Sequence, residues 1–290
     1  MNSFRFKAMP AEMPHLDNDE DHLALLAAAM EGGALCTIVG IEGSFSRRLG
    51  AQLAILPDGT IVGTLADGCL ERQLASDCRQ TKAAIVKRYG RGSGTIDFRL
   101  PCGGGLDVLL DPAPDRDACL AALDALTHRR EAQLLLAPNS FLTARRYLPR
   151  LVVRAFGEGP ELEALHTIAA ASGIACQVVE QKTLTLTRHS RLTPADRWTA
   201  VVLLFHDHEW EATLLDEALD SEAFYVGAQG GHNARSARLD EMRRRGVTER
   251  NLARIRSPIG TPFGSRTPQS LALAVLAEIT GEYERLRSIA

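Results

Sequence analysis

The chain has 290 residues, 45% of them hydrophobic, and a formal net charge of -3. This balance is typical of a soluble globular protein with room for one large domain or two ordinary ones. The charge gives no indication of a nucleic-acid or membrane partner, and we expect neither. No apolar run reaches the length of a membrane span, and the first residues lack the basic and apolar regions of a secretory signal. We therefore expect a cytoplasmic protein.

The pattern of apolar runs indicates two domains of the α/β class. Residues 138–149 are polar with few apolar anchors, so we place the boundary there, with an α+β domain over 1–149 and a second domain over 150–290. In the first domain, helices are predicted over 22–30, 70–86 and 118–130. Strands are predicted over 34–39, 52–56, 60–64, 95–98, 106–110 and 132–136.

The six cysteines show no Cys-x-x-Cys pair, and without a secretory signal we expect reduced thiols. Cys36 lies in a predicted strand, and Cys78 and Cys119 lie in predicted helices among apolar residues. These three are predicted to be buried core residues. Cys69 and Cys102 differ because each adjoins a glycine, which makes them the candidate functional thiols.

The stretch 100–105 reads Leu-Pro-Cys-Gly-Gly-Gly and stands between two predicted strands, the first at 95–98. The flexible glycines Gly103 and Gly104 would let the backbone approach a ligand closely. Backbone amides together with the Cys102 thiol could hold a soft metal, a sulfur atom or an anion. The alternative is a small buried cysteine in a glycine turn.

The loop over residues 43–50 places two hydroxyls and two arginines between glycines. Guanidinium groups match the paired oxygens of phosphate or carboxylate, so Ser44, Arg47 and Arg48 are candidate anion ligands. A solvated basic loop is the alternative.

Gly68 and Cys69 are predicted at the N-terminus of the helix that begins at Leu70. At this end the helix dipole favours a thiolate and suits the binding of an anion.

The second domain opens with a strand over 151–156 followed by Gly157-x-Gly159, a helix and another strand. This β-α-β unit predicts a Rossmann-like fold with a mostly parallel sheet, in which NAD(P) or FAD is one possible ligand. Two residues count against a dinucleotide. Leu162 replaces the third small residue of the motif, and Pro160 removes a backbone N–H from the turn.

A further strand, predicted over 200–205, leads into His206-Asp207-His208. Strand ends of this kind are where open α/β sheets bind ligands, and the imidazoles and carboxylate could bind a transition metal or move a proton. Alternatively, Asp207 caps the following helix.

Several separated motifs, in the same order, resemble the XdhC/CoxI family. The N-terminal domain of that family is resembled by Gly43-Ser44-(x2)-Arg47-(x2)-Gly50-Ala51, Gly68-Cys69-Leu70-Glu71 and Pro101-Cys102-Gly103-Gly104. Its C-terminal Rossmann domain is resembled by Gly157-x-Gly159, His206-Asp207-His208, Ser257-Pro258-Ile259-Gly260 and Gly264-Ser265-Arg266-Thr267-Pro268. Together the matches run from about residue 20 to about residue 285.

The resemblance implies an accessory protein for the maturation of molybdenum hydroxylases. Such a protein binds the molybdenum cofactor (molybdopterin with its metal), protects it, helps a cysteine desulfurase to sulfurate it and delivers it to a xanthine dehydrogenase-type enzyme. On this interpretation Cys102 contacts the metal, with Cys69 as a second sulfur. Arg47, the glycine amides and Arg266 would hold the pterin phosphate.

We therefore expect a cofactor carrier without catalytic residues of its own, acting as a homodimer that shields the ligand. The alternative from another class is an NAD(P)-dependent oxidoreductase in which His206 or His208 acts as acid or base. A third interpretation is a structural partner of the hydroxylase that binds protein only.

Overall fold

The computed structural model describes residues 20–66, 68–94, 103–180, 193–205, 208–261 and 264–288. The chain divides into two compact units, the first ending at Pro149 and the second beginning at Arg150. In the described ranges, every helix is too short or too polar to cross a lipid bilayer.

The first unit is built on a five-stranded antiparallel sheet with strand order β3-β2-β1-β5-β4. Its strands are β1 (Ala34–Glu42), β2 (Gln52–Ile55), β3 (Ile61–Val62), β4 (Ile85–Gly90) and β5 (Gly105–Asp111). A separate two-stranded hairpin follows, formed by β6 (Ala132–Leu135) and β7 (Ala144–Tyr147). The helices are α1 (Glu20–Glu31), α2 (Cys69–Gln80) and α3 (Arg116–Thr127).

Each face of this sheet has its own hydrophobic cluster. On one face, α2 contributes Leu70 and Leu74, which pack with Ile38 of β1. On the other face, α1 and α3 pack together, and Tyr147 from the hairpin joins that cluster and donates its hydroxyl to Gln52 in β2. Cys36, Cys78 and Cys119 are buried, as predicted.

In this unit one predicted helix is too long, and two strands, β4 and β7, are not predicted. The helix expected over 70–86 ends at Gln80, since Thr81 is extended and the β-branched pair Ile85-Val86 begins an edge strand against β5. The positions of Ala83, Ile85 and Val86 also fit a helical spacing, which explains the error. The strand β7 lies in the polar stretch that marks the domain boundary.

The second unit is a parallel five-stranded sheet with order β12-β11-β10-β8-β9, which confirms the Rossmann-like prediction. Its strands are β8 (Val152–Gly157), β9 (Ala175–Glu180), β10 (Thr199–Leu204), β11 (Tyr225–Ala228) and β12 (Ile255–Arg256). Its helices are α4 (Pro160–Ala171), α5 (His208–Asp220), α6 (His232–Arg244), α7 (Glu249–Leu252) and α8 (Pro268–Ser288). The strand order reverses between β8 and β10, where doubly wound sheets bind ligands beyond the carboxyl ends of the strands.

One buried arginine joins the segments at this carboxyl edge. Arg238 on α6 is 5% exposed and donates Nε to the carboxylate of Glu211 on α5, which is 4% exposed. Its Nη1 donates to the Ser257 hydroxyl at 2.6 Å, and its Nη2 donates to the Gln229 carbonyl at 2.6 Å. Gln229 follows β11 and Ser257 follows β12, so a single guanidinium fixes three segments of the sheet edge.

We predict that Arg238→Met destabilises the second unit by about 3–5 kcal/mol, because it leaves the Glu211 carboxylate buried without its cation. Urea denaturation measures the loss. Arg235→Met, an exposed position on the same helix, serves as the control and should change stability little. The double variant Arg238→Met with Glu211→Met should recover part of the loss. If Arg238→Met and Arg235→Met lowered the free energy of unfolding by the same amount, this role of Arg238 would be contradicted.

Candidate functional site

Three loops of the first unit leave the same end of its sheet. Glu42, the last residue of β1, pairs with Gly105, the first residue of β5. The last residue of β4, Gly90, pairs with the same glycine, and Thr37 of β1 pairs with the first residue of β2. The strand β3 is antiparallel to β2 and ends beside the start of β2, so the segment before α2 leaves the same end. The described residues of the three N-terminal motifs therefore lie on connections at one end of this sheet.

Two contacts show how closely these loops approach one another. Arg47 Nε donates to the Thr64 carbonyl at 3.2 Å, which joins the 43–50 loop to the segment before α2. A Cβ placed on Gly43 would lie 3.6 Å from the Cα of Gly104. The first motif loop thus contacts the segment that leads to the second motif, and it approaches Gly104 of the third.

Glu71, on the first turn of α2, organises the segment that precedes this helix. Its side chain is 1% exposed. Oε1 accepts hydrogen bonds from the Thr64 hydroxyl at 2.9 Å and from the N–H groups of Leu65 at 2.8 Å and Ala66 at 2.6 Å. Oε2 accepts from the N–H of Gly68 at 2.8 Å. One carboxylate therefore satisfies four donors and fixes the turn that presents Cys69.

The same donors control the charge of Glu71. Burial by itself would raise the pKa of this carboxyl, but the backbone donors, led by Ala66, together with the Thr64 hydroxyl, hold the pKa below its ordinary 4.5. Glu71 is therefore ionised at neutral pH. Because the N–H of Gly68 already donates to this carboxylate, it is not available to a ligand in this conformation.

Glu71 was not identified as a site residue from the sequence alone. The signal that could have found it is the spacing Gly68-x-x-Glu71, in which a glutamate at the third helical position reaches back to the N-cap backbone. Gly68 has a φ of 93°, a left-handed conformation that favours glycine.

Cys69 is the first residue of α2, and its thiol is exposed. Arg72, one turn further along the helix, donates Nη2 to the Cys69 sulfur at 3.2 Å. A guanidinium at this distance could also bind an anionic ligand held beside the sulfur. The spacing of three residues on a helix could have identified Arg72.

The third motif is only partly described by the structure. Cys102, the predicted metal ligand, and the predicted strand at 95–98 lie outside the described residues. Gly103 is exposed with a φ of 67°, and Gly104 is buried.

Of the first motif, Ser44 is exposed and Arg47 is half-buried. Among the described residues, no three His, Cys, Asp or Glu side chains cluster closely enough to hold a metal ion.

The third glycine of the run has a structural reason unrelated to a ligand. A side chain on Gly105 would overlap the guanidinium of Arg88. Arg88 crosses this position to donate Nη1 to Asp107 at 2.7 Å and Nη2 to Glu42. Gly105 is therefore needed for an ion-pair network across β1, β4 and β5.

In the second unit, the described residues of the predicted set lie on segments that end or follow strands of the parallel sheet. Gly157 ends β8, and a Cβ there would lie 2.5 Å from the Leu204 carbonyl, so close strand packing explains this glycine. Gly159, with a φ of 80°, is the N-cap of α4. Arg266 is exposed on the connection between β12 and α8. His206 and Asp207 fall between β10 and α5 and lie outside the described residues.

We predict that Glu71→Gln lowers the free energy of unfolding at pH 7 by about 2–4 kcal/mol, because a buried hydrogen-bonded carboxylate is replaced by a neutral amide with fewer acceptors. The folded state depresses the pKa of Glu71, so its contribution is present above about pH 4.5 and is lost as pH falls through the folded value. The difference between wild type and variant should therefore shrink below that pH.

Urea denaturation at a series of pH values measures this difference. Glu163→Gln, at an exposed position on α4, is the matched control. A difference between wild type and Glu71→Gln that stays constant from pH 7 down through acid pH would contradict the assignment.

The chain is similar to several described proteins over almost its whole length. A molybdenum cofactor insertion chaperone, PaoD of Escherichia coli strain K12, is 31% identical over 287 residues, which cover 90% of this chain and 88% of that protein. A Bacillus subtilis strain 168 protein, described as a probable xanthine dehydrogenase subunit, is 22% identical, with 93% of this chain and 99% of that protein covered. The solved structure of a Bacillus halodurans protein described as a xanthine dehydrogenase has a TM-score of 0.67 at 19% identity. It covers 92% of this chain and 96% of that one, and supports the fold.

Two family profiles match separate parts of the sequence. The XdhC Rossmann domain matches residues 153–279, within the second unit. The XdhC and CoxI family matches residues 26–90, which include the first two motif loops and the Glu71 turn. With an extensive relative at 31% identity beside them, these matches establish that the chain belongs to the XdhC and CoxI family.

Proposed function

We propose that this protein is an accessory protein that binds the molybdenum cofactor and passes it to a xanthine dehydrogenase-type molybdenum hydroxylase. The observation that carries the proposal is the likeness to a molybdenum cofactor insertion chaperone over 90% of the chain. The gathering of three motif loops at one end of the N-terminal sheet supports it independently, because a ligand larger than a single ion needs donors from several segments.

The exposed groups at this end of the sheet suit the chemistry of the cofactor. A sulfur ligand can contact a soft metal or a sulfur atom, and Cys69 offers one beside the guanidinium of Arg72. We assign the same role to Cys102, as metal ligand. Arginines bind phosphate through paired donors, so Arg47 and the exposed Arg48 are proposed to hold the pterin phosphate with the Gly103 amide.

The second unit is proposed to contribute through the carboxyl edge of its sheet. Gly159, His206, Asp207 and Arg266 are candidate contacts there, on connections that leave strand ends or begin helices. A bound NAD(P) or FAD has less support, since close strand packing accounts for Gly157. We therefore retain the carrier without turnover in preference to an oxidoreductase.

The remaining steps of the proposal concern partners. We propose that a cysteine desulfurase supplies sulfur while the cofactor is held, that the hydroxylase then receives it, and that two copies of the chain shelter it as a homodimer. This handling is assigned to the cytoplasm. The proposed domain 1–149 would contribute the motif loops to cofactor binding, and the domain 150–290 would contribute the carboxyl edge of the Rossmann-like sheet.

The test is anaerobic binding of molybdenum cofactor released from a purified molybdoenzyme. Wild type should retain molybdenum and pterin after gel filtration, and Cys102→Ala and Cys69→Ala should each weaken binding by about tenfold or more, the loss of one ligand contact of about 1.4 kcal/mol. Metal analysis and pterin fluorescence measure the two components separately.

Cys176→Ala, a half-buried thiol of β9 in the second unit, is the matched control and should bind as wild type does. Binding by both site variants equal to that of wild type would reject the assignment of the two sulfurs. Saturable binding of NAD(H) or NADP(H) without any binding of molybdenum or pterin would overturn the carrier function itself.

A further inference from the structure

Two buried thiols of the first unit lie next to one another, on elements that are distant in sequence. Cys36 of β1 and Cys78 of α2 stand with their sulfur atoms 3.5 Å apart, and both are free thiols. Cys36 is 0% exposed and Cys78 is 8% exposed. Both residues lie outside the motif loops, and the proposed function makes no use of them.

The two thiols are not equivalent. The hydrogen bond with Cys78, and then burial, raise the pKa of Cys36 well above its ordinary value, whereas the hydrogen bond with Cys36 lowers the pKa of Cys78. Cys78 is therefore the sulfur that ionises first. Lys87 also lowers the pKa of Cys78, while burial and the charges of Asp77 and Asp111 oppose this shift.

Hydrogen bonds and an ion pair join the end of the helix that carries Cys78 to the neighbouring strand β4. Cys78 lies in the last turn of α2, and its neighbour Asp77 accepts the Tyr89 hydroxyl at 2.6 Å and pairs with Lys87 at 3.2 Å. These bonds tie the end of the helix to β4. Another buried cysteine of this unit, Cys119, has a pKa raised by burial to about 11 and is correspondingly unreactive.

We propose that Cys36 and Cys78 are an oxidisable dithiol, which a hydroperoxide converts into a disulfide between β1 and α2. A disulfide requires a sulfur–sulfur distance of about 2.05 Å, so the two sulfurs must approach by roughly 1.5 Å, within reach of side-chain rotation. This inference does not depend on the proposed cofactor.

The chemistry balances with hydrogen peroxide as the oxidant. The Cys78 thiolate attacks one peroxide oxygen, the O–O bond breaks, and the departing hydroxide takes up a proton as water, leaving a sulfenic acid. The Cys36 sulfur then attacks the Cys78 sulfur, the S–O bond breaks, and hydroxide leaves with the proton of Cys36 as a second water. Two thiols lose two electrons and two protons in total, and one peroxide becomes two waters.

The disulfide would join the two elements that adjoin the first two motif loops. The strand β1 ends just before the 43–50 loop, and α2 begins with Cys69. Since the pair is separated by 42 residues, its oxidation closes a long loop of chain, which restricts the unfolded state substantially. We expect the midpoint of thermal unfolding to rise by about 5 °C or more.

The experiment treats the folded full-length protein with hydrogen peroxide and maps its non-reduced peptides by mass spectrometry. The expected product is a peptide pair linked through Cys36 and Cys78, in which both thiols resist alkylation until dithiothreitol restores them. Cys36→Ala should instead stop at a sulfenic acid on Cys78, trapped by dimedone. Cys119→Ala, as control, should still form the linked pair.

The wild-type peptide map decides the matter even if a cysteine variant fails to fold. A linked pair formed by the folded protein, with a raised unfolding midpoint, supports the proposal. Retention of both thiols at peroxide concentrations that fully oxidise Cys69, or a linked pair that forms only in urea, would overturn it.

Discussion

The geometry of the N-terminal site depends on the burial of one negative charge. Glu71 is excluded from water, and its ionised form is maintained by four donors that the chain presents in a tight turn. Without the carboxylate, those backbone N–H groups would lack their acceptor, and a turn without regular secondary structure has few other means of satisfying them. Through Thr64 the same turn is joined to Arg47, so the conformations of two loops are coupled to one side chain.

The two units differ in how their sheets bring loops together. In the first, antiparallel pairing places every second connection at the same sheet end, and a buried carboxylate shapes one of them. In the second, parallel strands collect their connections at the carboxyl edge, and the guanidinium of Arg238 joins three of the segments there. In both units a buried charge with several hydrogen bonds replaces the regular structure that loops lack.

Much of the fold could be predicted from the sequence because the apolar periods are clear. The central strands β8, β10 and β11 are nearly continuous apolar runs, as buried parallel strands must be. The sequence also correctly places Gly68-Cys69 at a helix N-terminus. The end of α2 was misjudged because Ile85 and Val86 extend a helical spacing that their pairing with β5 overrides. The role of Glu71 was not found, since burial of a carboxylate depends on donors that only the folded turn assembles.

The geometry around Arg238 limits which residues can occupy that position. Its three acceptors, Glu211, Ser257 and Gln229, each engage a different nitrogen of one planar group. A lysine retains the positive charge but carries a single nitrogen on a flexible chain. It therefore cannot donate hydrogen bonds to three acceptors spread around one plane. The acceptor at Gln229 is a backbone carbonyl, which any residue supplies, whereas Glu211 and Ser257 accept through their side chains. We therefore expect Arg238, Glu211 and Ser257 to vary as a group among relatives, whatever residue follows β11.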